Sequence, residues 1–333
     1  MLVLAGDIGG TKSLLCVAEC DGGATRIARQ QRFENADYRG FDDVLRDFLA
    51  AGPAVQVSAA CFAIAGPVRN RPAGQSVRFT NLPWQADSAA LAREFGLPRV
   101  RLINDFAAIG YAIESLPDSD LVALHAGDPE PRGPRAVIGA GTGLGQAILF
   151  WHHDHYEVIA TEGSKADFGP TDELQLDLAR YLIQRHGRAS YEMVLSGAGQ
   201  VRLYEFLRDE AAVAPESPAL AEAMRHSDAA ATITRAALER NDALANAALD
   251  LFVTIYGAHA GNLALAAGAT GGVYVAGGIA PKIVSRLTDG AFVRAFVSKG
   301  KMTDYMRAIP VSVAMNTEVG LAGAVSVAAR LAA

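Results

Sequence analysis

Apolar and polar positions in the first hundred residues follow two different periods. Three strand-like runs come first, within residues 2–33, and the helical pattern FDDVLRDFLAAG follows from Phe41. A continuous apolar run from Val57, a short helical pattern from Leu91 and another strand-like run from Arg99 complete this part. The order predicts an α/β unit that opens with three adjacent strands.

A design of strand, glycine-rich turn and strand occurs twice in the chain. GDIGGTKSLLCV begins at Gly6, and GAGTGLGQAILF begins at Gly139. Helical patterns then dominate, including the stretch 228–267, until a strand-like run returns at Gly271. The last run, residues 318–333, predicts a helix of small residues. We expect this helix to pack back on the first domain and so make that domain discontinuous.

Composition and charge limit the class of protein. The chain has 333 residues, 50% hydrophobic and 20% charged, which favours two α/β domains over one. The formal charge of −6 argues against a nucleic-acid partner, because phosphate backbones are bound by clustered Lys and Arg. The most apolar helical pattern, from Ala245, is interrupted by Asp250, His259 and Asn262, which suits a buried helix better than a membrane span.

The cysteines and the N-terminus bear on localisation. Cys16, Cys20 and Cys61 lie in or beside strand-like runs, and their spacing fits neither a disulfide framework nor a zinc site. The N-terminus is apolar but lacks the basic start and the long hydrophobic run of a signal peptide. We expect a cytoplasmic protein with no membrane partner.

The glycine-rich turns are candidates for anion binding. Glycine lets backbone N–H groups approach phosphate oxygens without an intervening Cβ, although hairpins also use glycine for turn geometry alone. The second turn is not a dinucleotide fingerprint, since residue 144 is Leu and the following QAILFWH predicts a strand where that motif needs a helix. Neither turn is a Walker A motif. Two related turns together favour phosphate binding.

Asn104 and Asp105 end an apolar strand and precede a helical pattern. Strand ends are where α/β proteins place ligand groups. The spacing alone leaves two interpretations of Asp105 open. It caps the helix, or it serves as a general base toward a substrate hydroxyl. Phosphoryl transfer to an alcohol needs a base of this kind.

Two further groups are interpreted as structural. His152, Asp154 and His155 could be imagined as metal ligands, but in a strand–turn–strand pattern they predict a solvated hairpin tip. Trp84, in TNLPW, is more often a packing residue than a ligand.

The ordered set of short motifs resembles a known family. GDIGGTK, AIAGPV with TNLPW, LINDFAAI, GAGTGLG, TEG, MVLSGAG and AGGIAPK occur in this order. The set closely resembles the bacterial ATP-dependent glucokinases of the hexokinase, actin and Hsp70 fold superfamily, over roughly residues 3 to 330. A related repressor and sugar-kinase branch often carries a zinc-binding Cys/His cluster, which this sequence lacks, so the resemblance is to the non-zinc branch.

This resemblance implies two ribonuclease-H-like α/β domains with the active site in the cleft, one formed by residues 1–106 plus about 317–333 and the other by 107–316. It implies phosphorylation of glucose to glucose 6-phosphate, the first step of glycolysis, with ATP and Mg²⁺ and in a homodimer. Asp7 would face the Mg²⁺ through water. The resemblance implies that the ATP-binding residues are Gly6, Asp7, Gly9, Gly10, Thr11, Lys12, Gly141, Thr142, Gly143, Gly277 and Gly278.

The resemblance also implies a sugar site and its base. Asp105 would accept the proton of the sugar 6-hydroxyl. The implied sugar-binding residues are Asn81, Asn104, Asp105, Glu162, Lys165 and Glu192. A pocket of amides and carboxylates suits a hexose, because each hydroxyl that is missing from an analogue leaves a buried group unpaired.

Lys165 is a departure from the family pattern. The family has Gly-Gly-His after the acid of this turn, and its histidine hydrogen-bonds the sugar, whereas this chain has Gly163, Ser164 and Lys165 after Glu162. An ammonium group donates only, whereas a neutral imidazole can donate and accept. Three outcomes stay open: a working glucokinase with the same hydrogen bond from lysine, a kinase for another sugar such as mannose, fructose, an amino sugar or an acidic sugar, or a sugar-binding regulatory homologue with little turnover.

Overall fold

The computed structural model describes residues 1–21, 24–239 and 242–333. These residues form two compact units. The first unit consists of Met1–Leu116, Glu157–Ala160 and Thr317–Ala333, and the second of Pro117–Tyr156 and Thr161–Asn316.

The strands of the first unit are β1 (Leu2–Ile8), β2 (Lys12–Asp21), β3 (Ala24–Glu34), β4 (Ala59–Ile64), β5 (Val68–Arg71), β6 (Gly74–Arg78), β7 (Gln85–Asp87) and β8 (Val100–Asn104). They form a five-stranded sheet of order β3-β2-β1-β4-β8 and a small sheet of order β5-β6-β7. Strand β2 pairs antiparallel with both β1 and β3, so the three opening strands are adjacent, as predicted. Strand β1 also pairs parallel with β4.

The α-helices described in the first unit are α1 (Phe41–Ala50), α2 (Ser88–Phe95), α3 (Asp105–Ala112) and α13 (Val319–Ala332). Helix α1 buries Phe41, Val44, Leu45 and Phe48, which recur at the three- and four-residue spacing of one helix face. Helix α2 begins where the Asp87 carboxylate accepts the amide hydrogens of Ala89 and Ala90, at 3.0 and 2.9 Å.

The C-terminal helix α13 packs on the first unit, which confirms that prediction. Its residues Leu321, Ala324 and Val325 are buried in the same cluster as residues of β1 and β4. A Cβ at Gly323 would lie 1.7 Å from the carbonyl oxygen of Ala108. The absence of a side chain at this position therefore lets the backbones of α13 and α3 pack in direct contact. The expected boundary after residue 106 falls inside α3, whereas the first unit extends to Leu116 because α3 packs against α13.

The next six strands are β9 (Leu121–His125), β10 (Arg135–Ala140), β11 (Leu144–His152), β12 (His155–Thr161), β13 (Gly272–Ala276) and β14 (Val311–Ala314). They form a sheet of order β12-β11-β10-β13-β14-β9. Strand β10 pairs antiparallel with β11 and parallel with β13, which repeats the arrangement around β1. The middle of the edge strand β12, Glu157–Ala160, belongs to the first unit.

The helices of the second unit are α4 (Glu173–His186), α5 (Tyr191–Val194), α6 (Gly197–Asp209), α7 (Pro218–His226), α8 (Ala229–Leu238), α9 (Ala243–Ala267), α10 (Val284–Leu287), α11 (Ala291–Val297) and α12 (Thr303–Ala308). The predicted helical stretch 228–267 corresponds to α8 and α9, and its residues 240–241 lie outside the described residues. Helix α9 is buried over most of its length and ends at Gly268 in the left-handed conformation, φ 57°. Across the described parts of the chain, no helix has the length and apolar character needed to cross a membrane.

Candidate functional site

The first glycine-rich turn, between β1 and β2, is closed by a hydrogen bond from the Gly9 amide to the Lys12 carbonyl at 2.9 Å. Gly10 lies against Asn81, since a Cβ at Gly10 would be 3.1 Å from the Cβ of Asn81. A predicted phosphate residue and a predicted sugar residue are therefore neighbours in the first unit. Gly6 faces inward from β1, where a Cβ would lie 2.5 Å from the side chain of Leu15, so core packing alone also requires glycine there.

Asp7 lies on β1 in an acidic environment. The pKa of its carboxyl is raised to about 7, mainly by burial and in addition by the negative charges of Asp105 and Glu318. Helix α13 contributes to this crowding, because a Cβ at Gly320 would be 2.6 Å from the Asp7 Oδ2 atom. Sequence reasoning missed Glu318 and Gly320, since nothing local in an acid before a run of small residues indicates a position beside β1.

The end of β8 presents Asn104 and then Asp105, the first residue of α3. The Asn104 Oδ1 atom accepts the amide hydrogens of Phe106 and Ala107, at 2.9 and 3.3 Å, and its Nδ2 donates to the Gly66 carbonyl at 3.3 Å. Asn104 is therefore the N-cap, and the alternative that Asp105 caps the helix is wrong. Asp105 accepts the Phe106 amide at 3.0 Å and sits one position inside the helix.

The segment around Asn81 is held by packing. The Thr80 amide donates to the Ala65 carbonyl at 2.9 Å, and the Phe79 amide donates to the Trp84 carbonyl at 3.1 Å. Trp84 is 4% exposed and meets the Phe79 ring edge to face at 5.7 Å. The prediction that Trp84 is a packing residue is confirmed.

The second glycine-rich turn, Gly141–Gly143, is held by its neighbours in the second unit. The Gly197 amide, at the start of α6, donates to the Gly141 carbonyl at 2.9 Å, and the Ile279 amide donates to the Ala140 carbonyl at 3.1 Å. Gly277 has φ 82°, and a Cβ there would lie 2.6 Å from the Ala140 carbonyl oxygen, so this position requires glycine. The structure thus brings the segments of Thr142 and Gly278 together.

A cavity of about 880 Å³ opens beside this turn. Small and apolar residues form much of its wall, and Arg235, Lys282 and Asp228 add charge. Sequence reasoning missed the walls contributed by α6 and α8, because alanine-rich helical runs carry no local signal of a ligand. The lining residues are Gly141, Thr142, Gly197, Ala198, Gln200, Val201, Asp228, Ala229, Ala230, Ala231, Thr234, Arg235, Leu238, Glu239, Gly278, Ile279 and Lys282.

The turn after β12 directs Lys165 toward Glu192 of α5. The Lys165 amide donates to the Glu162 carbonyl at 3.0 Å, which closes a short 3₁₀ turn over Gly163–Lys165. The Lys165 ammonium forms an ion pair with Glu192 Oε1. Glu192 Oε2 accepts the amide hydrogen of Leu144 at 3.3 Å, so one carboxylate bridges this turn and the end of the second glycine-rich turn.

A family model described as Glucokinase matches residues 4–331. The chain belongs to the glucokinase family. It is 42% identical to a glucokinase of Nostoc punctiforme over 99% of both chains. The crystal structure of a glucokinase from an Antarctic psychrotroph is 31% identical, with a TM-score of 0.84 over 99% of both chains.

A more distant structure shares the fold alone. The ROK family glucokinase of Streptomyces griseus, solved in complex with glucose and AMPPNP, is 20% identical, with a TM-score of 0.65 over 99% of this chain and 100% of that chain. The expected actin-like ATPase class of α/β fold is confirmed for this glucokinase-family chain.

Tyr191, the residue before Glu192, is held by buried contacts in this member of the glucokinase family. The adjacent Tyr191 ring stacks on His259 of α9, with ring centroids 3.5 Å apart and planes at 15°. The Tyr191 hydroxyl accepts a hydrogen bond from Asn262 Nδ2 at 2.8 Å. Burial, together with the positive charge of Lys299, lowers the pKa of His259 to about 3, so its ring is neutral at ordinary pH. Sequence reasoning noted His259 and Asn262 only as breaks in an apolar run.

The histidines near residue 152 form the tip of the β11–β12 hairpin, as predicted. His153 has φ 54° in the turn, and His155 Nδ1 lies 2.8 Å from Asp154 Oδ1. Across residues 1–21, 24–239 and 242–333, no cluster of three His, Cys, Asp or Glu side chains is suited to hold a metal ion.

Proposed function

We propose that this chain transfers the γ-phosphoryl group of ATP to the 6-hydroxyl of glucose, giving glucose 6-phosphate and ADP. The observation that carries the proposal is the placement of Asp105 at the N-terminus of α3, close enough to Asp7 that its charge raises the pKa of the Asp7 carboxyl. A candidate base and a candidate metal-facing acid thus share the unit that contains the first glycine-rich turn. Membership of the glucokinase family supports the reaction.

Asp105 is the proposed catalytic base. Its carboxylate takes the proton of the 6-hydroxyl as that oxygen bonds to the γ-phosphorus, while the bond from the γ-phosphorus to the bridging oxygen breaks and ADP leaves. Because Asn104 caps the helix, the Asp105 carboxylate is not required for that task. This division of roles between adjacent residues supports a chemical role for Asp105.

The two glycine-rich turns are the proposed phosphate-binding segments. The amides of Gly10 and Thr11 have no acceptor within residues 1–21, 24–239 and 242–333, so both can donate to a phosphate oxygen. The cavity bordered by Gly278 would take the adenosine, since it has the size and apolar walls of a ligand pocket. The proposed ATP-binding residues remain Gly6, Asp7, Gly9, Gly10, Thr11, Lys12, Gly141, Thr142, Gly143, Gly277 and Gly278.

The single carboxylate of Asp7 is the proposed contact to a Mg²⁺ ion. The pKa of Asp7 is raised first by burial and then by the negative charges of Asp105 and Glu318, and a cation there would offset both effects. Carboxylate oxygens are ligands that Mg²⁺ prefers. Asp7 would hold the ion, through water. When bound, Mg²⁺ would neutralise charge on the β- and γ-phosphates.

The proposed sugar-binding residues are Asn81, Asn104, Asp105, Glu162, Lys165 and Glu192. Amides and carboxylates supply the donors and acceptors that hexose hydroxyls need. The ion pair with Glu192 favours a second candidate, a kinase for another hexose or an amino sugar, because an acid paired with an ammonium offers a different hydrogen-bonding set from one beside a neutral imidazole. Among the residues that the structure describes, no contact favours the third outcome, a sugar-binding regulatory homologue with little turnover.

We also propose that the enzyme acts in glycolysis, in the cytoplasm, as a homodimer. The free thiols of Cys16, Cys20 and Cys61 suit a reducing compartment. Family membership supports the pathway and the dimer. Analytical ultracentrifugation of the purified chain tests the oligomeric state.

The decisive experiment measures sugar-dependent ADP release from Mg-ATP with glucose, mannose, fructose, glucosamine and gluconate. Glucose should give the highest kcat/KM. Release that no sugar stimulates would contradict kinase function, and a higher kcat/KM for another hexose would favour the second candidate.

Asp105→Ala and Asp105→Asn test the base. Both should lower kcat by at least about 10²-fold, because general base catalysis typically contributes 10²–10⁴-fold, while binding of AMPPNP measured by calorimetry changes little. Asp118→Ala, at an exposed acid of the second unit, is the control and should keep wild-type kcat. Retained turnover in both Asp105 variants would place the base elsewhere.

A further inference from the structure

Asn35 is a buried polar residue that the site described above does not include. It follows β3 and begins a short 3₁₀ turn, Asn35–Asp37. The residue is only 2% exposed. Burying a side-chain amide costs free energy unless its donors and acceptor form hydrogen bonds. The hydrogen-bond partners of Asn35 therefore indicate which segment it stabilises.

The side chain and the backbone amide of Asn35 bond to residues in or beside the first glycine-rich turn. Its Nδ2 donates to the Gly9 carbonyl at 2.9 Å, and its backbone amide donates to the Thr11 carbonyl at 2.9 Å. Its Oδ1 accepts the hydroxyl hydrogen of Ser13 at 2.7 Å. Ser13 is itself completely buried. A single residue thus contacts the turn at its start, at its end and on the strand that follows.

These bonds occupy the carbonyl groups on one side of the turn. With Gly9 and Thr11 carbonyls held by Asn35, the Gly10 and Thr11 amides are left without an acceptor within residues 1–21, 24–239 and 242–333. Amides that are fixed in this way form a concave donor surface suited to an anion. Glycine-rich backbone otherwise has many accessible conformations, and ordering it on ligand binding would cost affinity.

We propose that Asn35 and Ser13 form a buried positioning pair that presets the first glycine-rich turn for the phosphates of the nucleotide. The pair touches no substrate and acts through the backbone of Gly9 and Thr11. This inference rests on the proposed function, because it assumes that the turn binds ATP phosphates. It identifies two residues outside the glycine-rich turn that contribute to the affinity for nucleotide.

The test compares three variants by steady-state kinetics, AMPPNP calorimetry and thermal melting. Asn35→Ala removes both side-chain bonds, and Ser13→Ala removes one of them. Ser88→Ala is the matched control, since Ser88 is a buried serine of the same unit whose hydroxyl accepts the Gln75 amide at 2.8 Å, away from the turn. A purely structural role would lower the melting temperature of all three without a selective effect on nucleotide.

Asn35→Ala should raise the KM for ATP and the Kd for AMPPNP by roughly tenfold, with the sugar KM changed less than about twofold. Ser13→Ala should give a smaller change of the same kind, and Ser88→Ala none. Asn35→Asp keeps the acceptor for Ser13 but sets a carboxylate oxygen against the Gly9 carbonyl, so it should not restore nucleotide affinity. AMPPNP Kd values within twofold of wild type in folded Asn35→Ala would overturn the proposal.

Three further outcomes can be distinguished. If Asn35→Ala does not fold, Ser13→Ala decides: a selective rise in AMPPNP Kd supports the pair, and an unchanged Kd overturns it. If the wild-type chain releases no ADP with any sugar but binds AMPPNP, the proposed function fails while the Kd comparison still tests the pair. Wild-type protein that binds no AMPPNP overturns both.

Discussion

At the scale of single residues, the contacts of Lys165 change its interpretation. The sequence places it three residues after Glu162, where the family has a sugar-binding histidine, but its ammonium pairs with Glu192 instead. The Lys165 side chain is 55% exposed, so the pair is largely solvated and contributes at most about 1 kcal/mol. Its effect on sugar binding is therefore expected to be one of orientation and charge at Glu192.

Replacing Lys165 by His tests this residue. Lys165→His frees Glu192 from the ion pair and supplies a neutral group that can donate and accept, so the KM for glucose should fall by about two- to fivefold, within the range of a solvated pair. The KM for ATP should stay within about twofold. Steady-state kinetics with varied glucose and varied ATP measure both.

Lys301→His is the control, because it changes an exposed lysine of the 3₁₀ turn Gly300–Met302. Its kinetics should match wild type. Equal sugar KM values in wild type and Lys165→His, across the whole hexose panel, would show that Lys165 is a bystander.

At the scale of elements, the crossing of α3 and α13 positions the acidic cluster. Helix α3 begins at Asp105, and α13 brings Glu318 and Gly320 to Asp7. Gly323 is the point of closest approach, where a Cβ would meet the Ala108 carbonyl oxygen at 1.7 Å. Any change that separates α3 from α13 should therefore also shift Asp105 or Glu318 relative to Asp7.

Gly323→Ala tests this crossing. Alanine gains about 1 kcal/mol of helix propensity over glycine, but the clash is with backbone, and overpacking typically costs about 1–3 kcal/mol. We expect a net loss of stability of roughly 1–2 kcal/mol, with a fall in kcat because Asp105 shifts. Urea unfolding and steady-state kinetics measure the two effects.

Ala322→Leu is the matched control, because Ala322 is exposed on the same helix. It should keep wild-type stability within about 0.5 kcal/mol, as surface changes usually do. A Gly323→Ala variant as stable as wild type would mean that the helices adjust to the methyl group without loss.

At the scale of the whole molecule, buried titratable groups set how stability changes with pH. His259 is 5% exposed in the core of the second unit, with a pKa lowered to about 3. In the unfolded chain, the pKa of this histidine has its ordinary value of 6.5. Between pH 3 and pH 6.5 the unfolded chain therefore binds a proton at His259 that the folded chain does not bind. This contribution to stability is fully present above pH 6.5 and is lost as the pH falls toward 3.

His259→Phe should flatten that dependence. The phenylalanine ring can still stack on Tyr191 but does not titrate. The free energy of unfolding of the variant should therefore lose a pH dependence of up to about 1.4 kcal/mol per pH unit between pH 6 and 4. Its stability at pH 7.5 should be lower, since Gln146 loses its partner on the ring. Unfolding curves at pH 7.5, 6.0, 5.0 and 4.5 measure the slope.

His153→Asn serves as the control, at the hairpin tip where Asn tolerates the φ of 54°. It should retain the wild-type slope. A His259→Phe slope equal to that of wild type would show that other groups govern acid sensitivity.

Much of the candidate site was predictable because its signals are local. Each glycine-rich turn lies between two strands that are adjacent in the chain, and Asn104 and Asp105 follow directly from a strand, so alternation and turn chemistry were sufficient to locate them. The helix of small residues at 318–333 was likewise predictable as a close-packing element. Two possible functions for Asp105 were visible, but choosing the cap required the geometry of Asn104.

By itself, the sequence determined the kinds of element, their order and the short motifs, because these depend on residues within a few positions of each other. Only the tertiary structure decided that Glu318 and Gly320 crowd Asp7, that Asn35 holds the first turn, and that Lys165 pairs with Glu192. These contacts join segments far apart in the chain. Their partners are selected by packing and by the need to pair buried polar groups, neither of which leaves a periodic signal.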